Sequence, residues 1–294
     1  ASDIWYTQVV GEDMLPDMIC GRISVNNKVD AETIIQKTIQ YESQPDMGPW
    51  RNRILFVSDD GFEEDSREVS RILPMQYSKD YVDLRNYPYV DNYYLPSGGD
   101  DKISVEGNKA VMDAISKGDL VIIYFGHGSP NVWAHERILF GGDSKNSDMK
   151  KLTNGRKLPF VMNLTCSTGQ FDWPTRPWNI CLSEDMHRVP NGGAVALYTP
   201  SGKGFTPQHK TMTLKLAKAL FDNEQFICGN AITEAVIDYY LDPGHDTTPQ
   251  MFNLFGDPAL VLGFPPKSVT LNVQPELVTS EQETTVRISG RFTG

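Results

Sequence analysis

A histidine and a cysteine in this sequence each stand where an apolar run gives way to small, polar residues. His127 lies in Tyr124-Phe125-Gly126-His127-Gly128-Ser129. Flanked by two glycines, it has little steric cover, and its backbone can approach a substrate closely. Cys166 lies in Asn163-Leu164-Thr165-Cys166-Ser167-Thr168-Gly169-Gln170-Phe171-Asp172. A thiol beside an imidazole can become a thiolate and attack a carbonyl carbon, with the histidine carrying the proton. The residues alone leave plainer readings open. His127 could cap the following element, and Cys166 could be a small core hydrophobe, the usual fate of a free cysteine. Cys20, Cys181 and Cys228 are read in that second way.

Other chemistries find no frame. The sequence has no GxSxG elbow, no HExxH, and no GxxxxGK[ST] or GxGxxG after a strand. His127 and His135 have no matching carboxylate arrangement, so no zinc site is expected. Asp242, Asp246 and Asp257 read as turn and cap residues rather than calcium ligands. Four cysteines without a CxxC pairing make no disulfide scaffold.

The elements that must carry the two reactive residues alternate in type. Arg53–Val57, Leu120–Phe125, Phe160–Leu164 and Gly193–Tyr198 are strand-length apolar runs. Continuous rather than alternating apolarity suggests strands buried on both faces, as in a parallel sheet. Between them lie helix candidates: one capped by Asp30 with an apolar face of Ile34, Ile35, Ile39 and Tyr41, then Phe62–Leu73, Gly107–Lys117, His209–Phe221 and Asn230–Tyr240. This is α/β patterning, and active sites form at the carboxyl ends of such strands. If strands 120–125 and 160–164 are neighbours, His127 and Cys166 emerge side by side.

The chain has 294 residues, 39% hydrophobic and 22% charged, and a formal net charge of −11. An acidic surface argues against nucleic-acid binding, which needs a basic face. The longest apolar run is six residues, Leu120 to Phe125, far below the ~20 of a membrane span. The first residues lack the charged and apolar regions of a signal peptide. Near Gly263-Phe264-Pro265-Pro266 the pattern changes to alternation, in Ser268–Gln274 and Thr284–Arg291. Such alternation suits a β-sandwich, but the stretch is too short to close one.

The residues resemble the gingipain family of caspase-like cysteine peptidases, with wording close to the branch that serves as sortase of the type IX secretion system. The resemblance rests on five stretches in family order. These are Cys20-Gly21-Arg22-Ile23-Ser24 with the helix to Glu42, Val57-Ser58-Asp59-Asp60-Gly61, the His127 segment with Trp133, Leu158 through Phe171, and Phe255-Gly256-Asp257-Pro258-Ala259-Leu260. It implies a caspase-like, mostly parallel α/β sheet flanked by helices over residues 1–266. Residues 267–294 would begin an immunoglobulin-like β-sandwich domain, truncated at Gly294.

By position, the resemblance makes Cys166 the nucleophile and His127 the general acid/base. Asp60 would orient the histidine, and the N–H groups of Gly128 and Cys166 would form the oxyanion hole. Gly202, Gly204 and Phe205 would line the primary pocket, with Trp133 packing by the histidine loop or touching substrate. Asp65, ahead of Glu63 and Glu64, would be the carboxylate meeting a basic substrate residue. The separation of His127 from Cys166 exceeds the family's, with the excess around Phe140–Asp148, and the α/β subdomain that precedes this region in the family is not in the sequence. The implied protein is a secreted or cell-surface bacterial endopeptidase. Its partners would be protein or peptide substrates and secretion-system or cell-surface components. No cofactor is required, and a structural calcium is not legible. The alternatives are a sortase-type transpeptidase on the same dyad and an inactive protein-binding scaffold.

Overall fold

Arg53–Ser58 forms β1, and its residues Ile54, Leu55, Phe56 and Val57 are all at 0% exposure. In the computed structural model, which describes residues 1–91, 102–142, 146–172, 180–265, 268–274 and 285–293, five further strands join it. They are β2 (Ser78–Asp83), β3 (Val121–Phe125), β4 (Phe160–Leu164), β5 (Ala196–Pro200) and β6 (Phe252–Phe255). The sheet order is β6-β5-β4-β3-β1-β2. All neighbours are parallel except β5 and β6, which pair antiparallel. The four strand runs expected from the sequence are β1, β3, β4 and β5, in the middle of this sheet.

The two edge strands escaped the sequence reading. β2 carries Ser78, Lys79 and Asp80, and only Val82 of its six residues is buried, so it shows no continuous apolar run. β6 follows a short 3-10 helix, Thr248–Met251, and runs antiparallel to β5, which apolar pattern does not encode.

Helices cover both faces: α1 (Lys28–Ser43), α2 (Glu63–Ile72), α3 (Val105–Lys117), α4 (Leu182–Arg188), α5 (Thr206–Ala217) and α6 (Cys228–Leu241). Leu55, Val57, Ile122, Tyr124, Val161 and Leu197 share one apolar cluster with Val111 and Ile115 of α3 and Leu182 and Met186 of α4. α2 and α5 touch each other, packing on β1 and β4 respectively, and α6 lies against α5. This is the caspase-like α/β arrangement, a mostly parallel sheet between helical layers.

One helix differs from its expected form. α1 is capped by Asn27, whose side chain accepts the N–H of Asp30 at 3.0 Å, so Asp30 sits inside the first turn. Ile35 and Ile39 are 44% and 50% exposed, while Ile34, Lys37, Thr38 and Tyr41 are buried. A 3.6-residue period fixes the width of a helix face, but the neighbour it packs on fixes the phase.

The chain divides into a unit over Ala1–Gly263 and a second over Phe264–Gly294. In the second, Ser268–Gln274 pairs antiparallel with Arg287–Thr293. Thr284, where the second of these strands was expected to begin, lies outside the described residues. Among the described residues no helix is long and apolar enough to cross a membrane.

Candidate active site

The sheet register brings the reactive residues together. Ser58 aligns with Phe125 across β1 and β3, and Phe125 aligns with Leu164 across β3 and β4. Asp59, His127 and Cys166 therefore leave adjacent parallel strands at one carboxyl edge. Gly128 closes the gap: a Cβ placed there would lie 2.3 Å from Thr165 Oγ1 and 3.1 Å from the Cys166 carbonyl oxygen. Only a residue without a side chain lets the two loops approach this closely.

The histidine loop is held through its backbone. The His127 N–H donates to Asp59 Oδ2 at 2.9 Å. Its carbonyl accepts the Tyr124 hydroxyl at 2.6 Å and the Ala134 N–H at 2.9 Å. Trp133 is fully buried and stacks on Tyr124 with ring centroids 4.3 Å apart. Of the two roles considered for Trp133, packing is the one that burial permits, since it offers no surface to a substrate. Among the described residues no hydrogen bond reaches the His127 ring nitrogens. The ring meets Phe62 edge-on at 5.2 Å and His135 in a parallel stack at 4.9 Å.

Cys166 is half-buried, and its Sγ faces the Gly204 carbonyl oxygen at 3.9 Å. Ser167 follows in the left-handed region, at φ 59°, which costs a non-glycine residue about 1 kcal/mol. Bonds to the neighbouring loop hold that turn: the Ser167 N–H donates to the Gly202 carbonyl and the Gly169 N–H to that of Pro200, each at 2.9 Å. Beneath it, Thr199 Oγ1 gathers Thr168, Ser183 and Asn163 at 3.0, 3.1 and 3.4 Å. All four residues are buried. Buried polar groups need partners, so this network fixes the turn. Cys181 and Cys228 are buried, as expected, and Cys20 is half-buried. Burial first, then Asp3, pushes the Cys20 thiol up, and burial raises Cys228 beyond the ordinary thiol range.

The loop expected to line the pocket, Ser201 to Phe205, ends at α5, where Phe205 is 75% exposed. Gly204 lies hard against the buried His209 ring, whose Nε2 would sit 2.0 Å from an added Cβ. Burial pushes the His209 imidazole down to about 4. On α2, Asp65 Oδ1 is 3.0 Å from Lys210 Nζ, which also meets Glu68 at 2.8 Å. Glu63 accepts the Gly61 N–H at 3.1 Å and pairs with Arg85 at 2.6 Å, and Glu64 pairs with Arg71 at 2.7 Å. Each acidic candidate for the pocket already has a cation. The excess segment expected around Phe140–Asp148 includes residues 143–145, which lie outside the described residues.

Asp60 is exposed, and its N–H donates to Asp59 Oδ1 at 2.9 Å. The carboxylate bonded to the histidine loop is that of Asp59, its neighbour in the Asp-Asp-Gly turn. Burial, with Asp60 and Glu136 alongside, pushes the Asp59 carboxyl up to about 7, against the opposing bond from His127. Asp59, Asp60 and Glu136 bring carboxylate oxygens within 4.8 Å of one another, the one such group found among the described residues. Lys102 Nζ stands 3.7 Å from Glu136 and partly neutralises it. The sequence reading missed Asp59 and Glu136. The doubled aspartate was a signal for the first, but Glu136 lies far along the chain, and only the fold brings it here.

A sheet edge that presents a cysteine beside a histidine is the layout of a cysteine-type hydrolase. The model of peptidase family C25 matches residues 1–263, and the chain belongs to that family of cysteine-type peptidases. Gingipain R2 and gingipain R1 of Porphyromonas gingivalis are each 29% identical over 194 residues, 65% of this chain. The chain spans only 24% and 18% of those two proteins. The crystal structure of the Arg-specific cysteine proteinase gingipain R superposes with a TM-score of 0.72 at 20% identity, over 94% of this chain and 63% of that one. The complex of Porphyromonas gingivalis RgpB pro- and mature domains gives 0.71 at 20% identity, over 94% and 64%. These likenesses establish the fold.

Proposed function

We propose that this protein is a cysteine endopeptidase in which Cys166 and His127 form the reacting pair. The observation that carries the reading is the packing of Gly128 onto Thr165 and the Cys166 carbonyl, which sets the histidine loop against the cysteine turn. His127 takes the thiol proton as Sγ attacks the scissile carbonyl carbon. The N–H groups of Gly128 and Cys166 receive the oxyanion of the tetrahedral intermediate. His127 then protonates the departing amine, leaving a thioester on Cys166, and activates the water that hydrolyses it. No step needs a metal or organic cofactor.

Asp60 is the orienting carboxylate on family position. Its membership of the cluster that includes Asp59, which bonds the His127 backbone, supports that role. Gly202, Gly204 and Phe205 form the pocket wall in this reading, because Gly204 faces Sγ. Asp65 is the carboxylate assigned to a basic substrate side chain, which would have to compete with Lys210 for it. Protein or peptide substrates, a location outside the cell and an immunoglobulin-like continuation from the C-terminal hairpin complete the proposal on the family resemblance.

The deciding experiment treats the protein with an irreversible thiol-directed peptidyl inhibitor and maps the label by mass spectrometry. The expected label is on Cys166 alone. Label on Cys20, Cys181 or Cys228 with Cys166 inert would remove the assignment, and no label together with no turnover would favour a binding scaffold. Adding a primary amine to a turnover assay separates water from an amine as the group that resolves the thioester. A ligated product would establish the transpeptidase.

A further inference from the structure

His135 is exposed, yet its ring lies parallel to that of His127, with centroids 4.9 Å apart and planes 10° from each other. The turn that carries it is unusual. Ala134 and Arg137 both adopt left-handed backbone, at φ 59° and 55°, although neither is glycine. Backbone strain of this kind persists only where the surroundings enforce it. Here they do so at both ends. The Ala134 N–H is bonded to the His127 carbonyl at 2.9 Å, and the Arg137 N–H to the Ala134 carbonyl at 3.3 Å. Further along, the Glu136 carbonyl accepts the Ser104 N–H at 2.8 Å and the Ile138 N–H donates to the Trp133 carbonyl at 3.1 Å. The turn therefore has one backbone path, and that path lays residue 135 over the imidazole.

Every hydrogen bond found on His127 among the described residues goes to its N–H or carbonyl. Those bonds fix the Cα position and leave χ1 and χ2 of the side chain to be set by what the ring touches. Two rings touch it: Phe62 edge-on and His135 face-to-face. Both are preferred ring geometries, and the parallel stack is the contact that shares the plane in which the ring nitrogens lie.

We propose that His135 is a positioning residue that holds the plane of the His127 imidazole by stacking on it. This rests on the peptidase reading above. It adds that the turn after Trp133, as well as a carboxylate, aims the proton carrier at Cys166. The role belongs to the flat ring rather than to its charge or its proton.

The test compares wild type, His135→Ala and His135→Phe for turnover of a fluorogenic peptide, with thermal transitions recorded for each. Because residue 135 is exposed, all three should melt within a few degrees of one another. His135→Ala should lower kcat about tenfold with KM nearly unchanged, since misorientation of a reacting group acts on the chemical step. His135→Phe should restore most of that loss. A His135→Ala enzyme with wild-type kcat would overturn the proposal, and so would a His135→Phe enzyme as slow as His135→Ala, because a ring alone would then not suffice. Histidine-selective NMR on the same proteins reads the His127 ring directly. If the wild type proves to have no turnover and Cys166 no special reactivity, the peptidase reading fails. Unchanged His127 ring signals in His135→Ala would then overturn the stack as well, and shifted, exchange-broadened signals restored by phenylalanine would uphold it.

Discussion

The two halves of the proposed reacting pair are held by different means. Cys166 is held from below. Its turn is bonded to the Pro200 and Gly202 carbonyls, and a set of buried hydroxyl and amide groups on Thr168, Ser183, Thr199 and Asn163 underlies it. His127 is held from the sides, with its backbone tied to Asp59, Tyr124 and Ala134 and its ring touched by Phe62 and His135. The cysteine has one rotatable bond to its sulfur, so fixing the backbone nearly fixes the nucleophile. Histidine has two, and its nitrogens must point in a definite direction. The contrast teaches that a nucleophile can be positioned by main-chain geometry, whereas a proton carrier also needs contacts to its side chain.

Breaking the cysteine half should have the largest effect. Cys166→Ala should abolish turnover while moving the thermal transition little, because a half-buried thiol contributes modest packing; kinetics and calorimetry on one preparation check both parts. Gly128→Ala attacks the join between the halves. Its methyl would press on Thr165 and the Cys166 carbonyl, and a shift of even 1 Å in one loop should slow turnover by about 100-fold.

Next come the two aspartates on the histidine side. Asp60→Asn should lower kcat by roughly 10- to 1000-fold if it orients the imidazole, since orientation supplies only part of the barrier reduction. Asp59→Asn should act more through stability than through rate, because Asp59 bonds the backbone. Its folded-state carboxyl at about 7 lies above the ordinary carboxylate value. The folded state therefore holds the extra proton between the ordinary range and about 7, so stability from this group falls as pH rises through that window. Asp59→Asn should flatten that fall in a series of melts. An Asp60→Asn enzyme with wild-type kcat would instead make Asp60 a turn residue only.

Removing the hub of the cysteine-side network should be milder. Thr199→Val leaves buried partners without an acceptor, and should cost about 1–3 kcal/mol of stability. A denaturant midpoint measurement checks this. If Cys166 labelling slows in the same variant, the network positions the nucleophile as well as stabilising the fold.

The smallest expected effect lies away from the site. Buried Lys37 donates to the carbonyls of His187 and Val189 at 2.9 and 3.1 Å, and burial lowers its amine to about 7. The unfolded chain then binds more protons between about 7 and the ordinary lysine value, so stability from this group rises with pH across that window. Lys37→Met should remove that rise in a series of melts across pH.

Much of the fold is legible in the residue pattern alone. Continuous apolar runs at 53–57, 120–125 and 160–164 mark the central strands, and the glycine-flanked His127 and the polar turn at Cys166 mark the residues that those strands bring to one edge. Edge strand β2 was not readable, because only Val82 of its six residues is buried and no apolar run marks it. The phase of α1 was not either, since Ile35 and Ile39 carry the same helical period as the buried residues yet face outward. Glu136 is not legible because nothing in its local spacing ties it to His127; Asp59 was overshadowed by Asp60 beside it, and His135 was weighed only as a zinc ligand.

What the sequence determined by itself is the chemistry on offer: an imidazole and a thiol, each at the end of a strand buried on both faces. Burial pattern is local information, and strand ends are legible wherever apolar residues stop. What only the tertiary structure decided is which groups touch. The order β1, β3, β4 in the sheet comes from pairing strands far apart in the chain, and it alone puts Gly128 on Cys166. The folding back of the 134–137 turn decided that His135, read from the sequence only as an unsuitable zinc partner, lies flat on His127. Contacts across the fold depend on register and on backbone conformations that residue types permit without dictating.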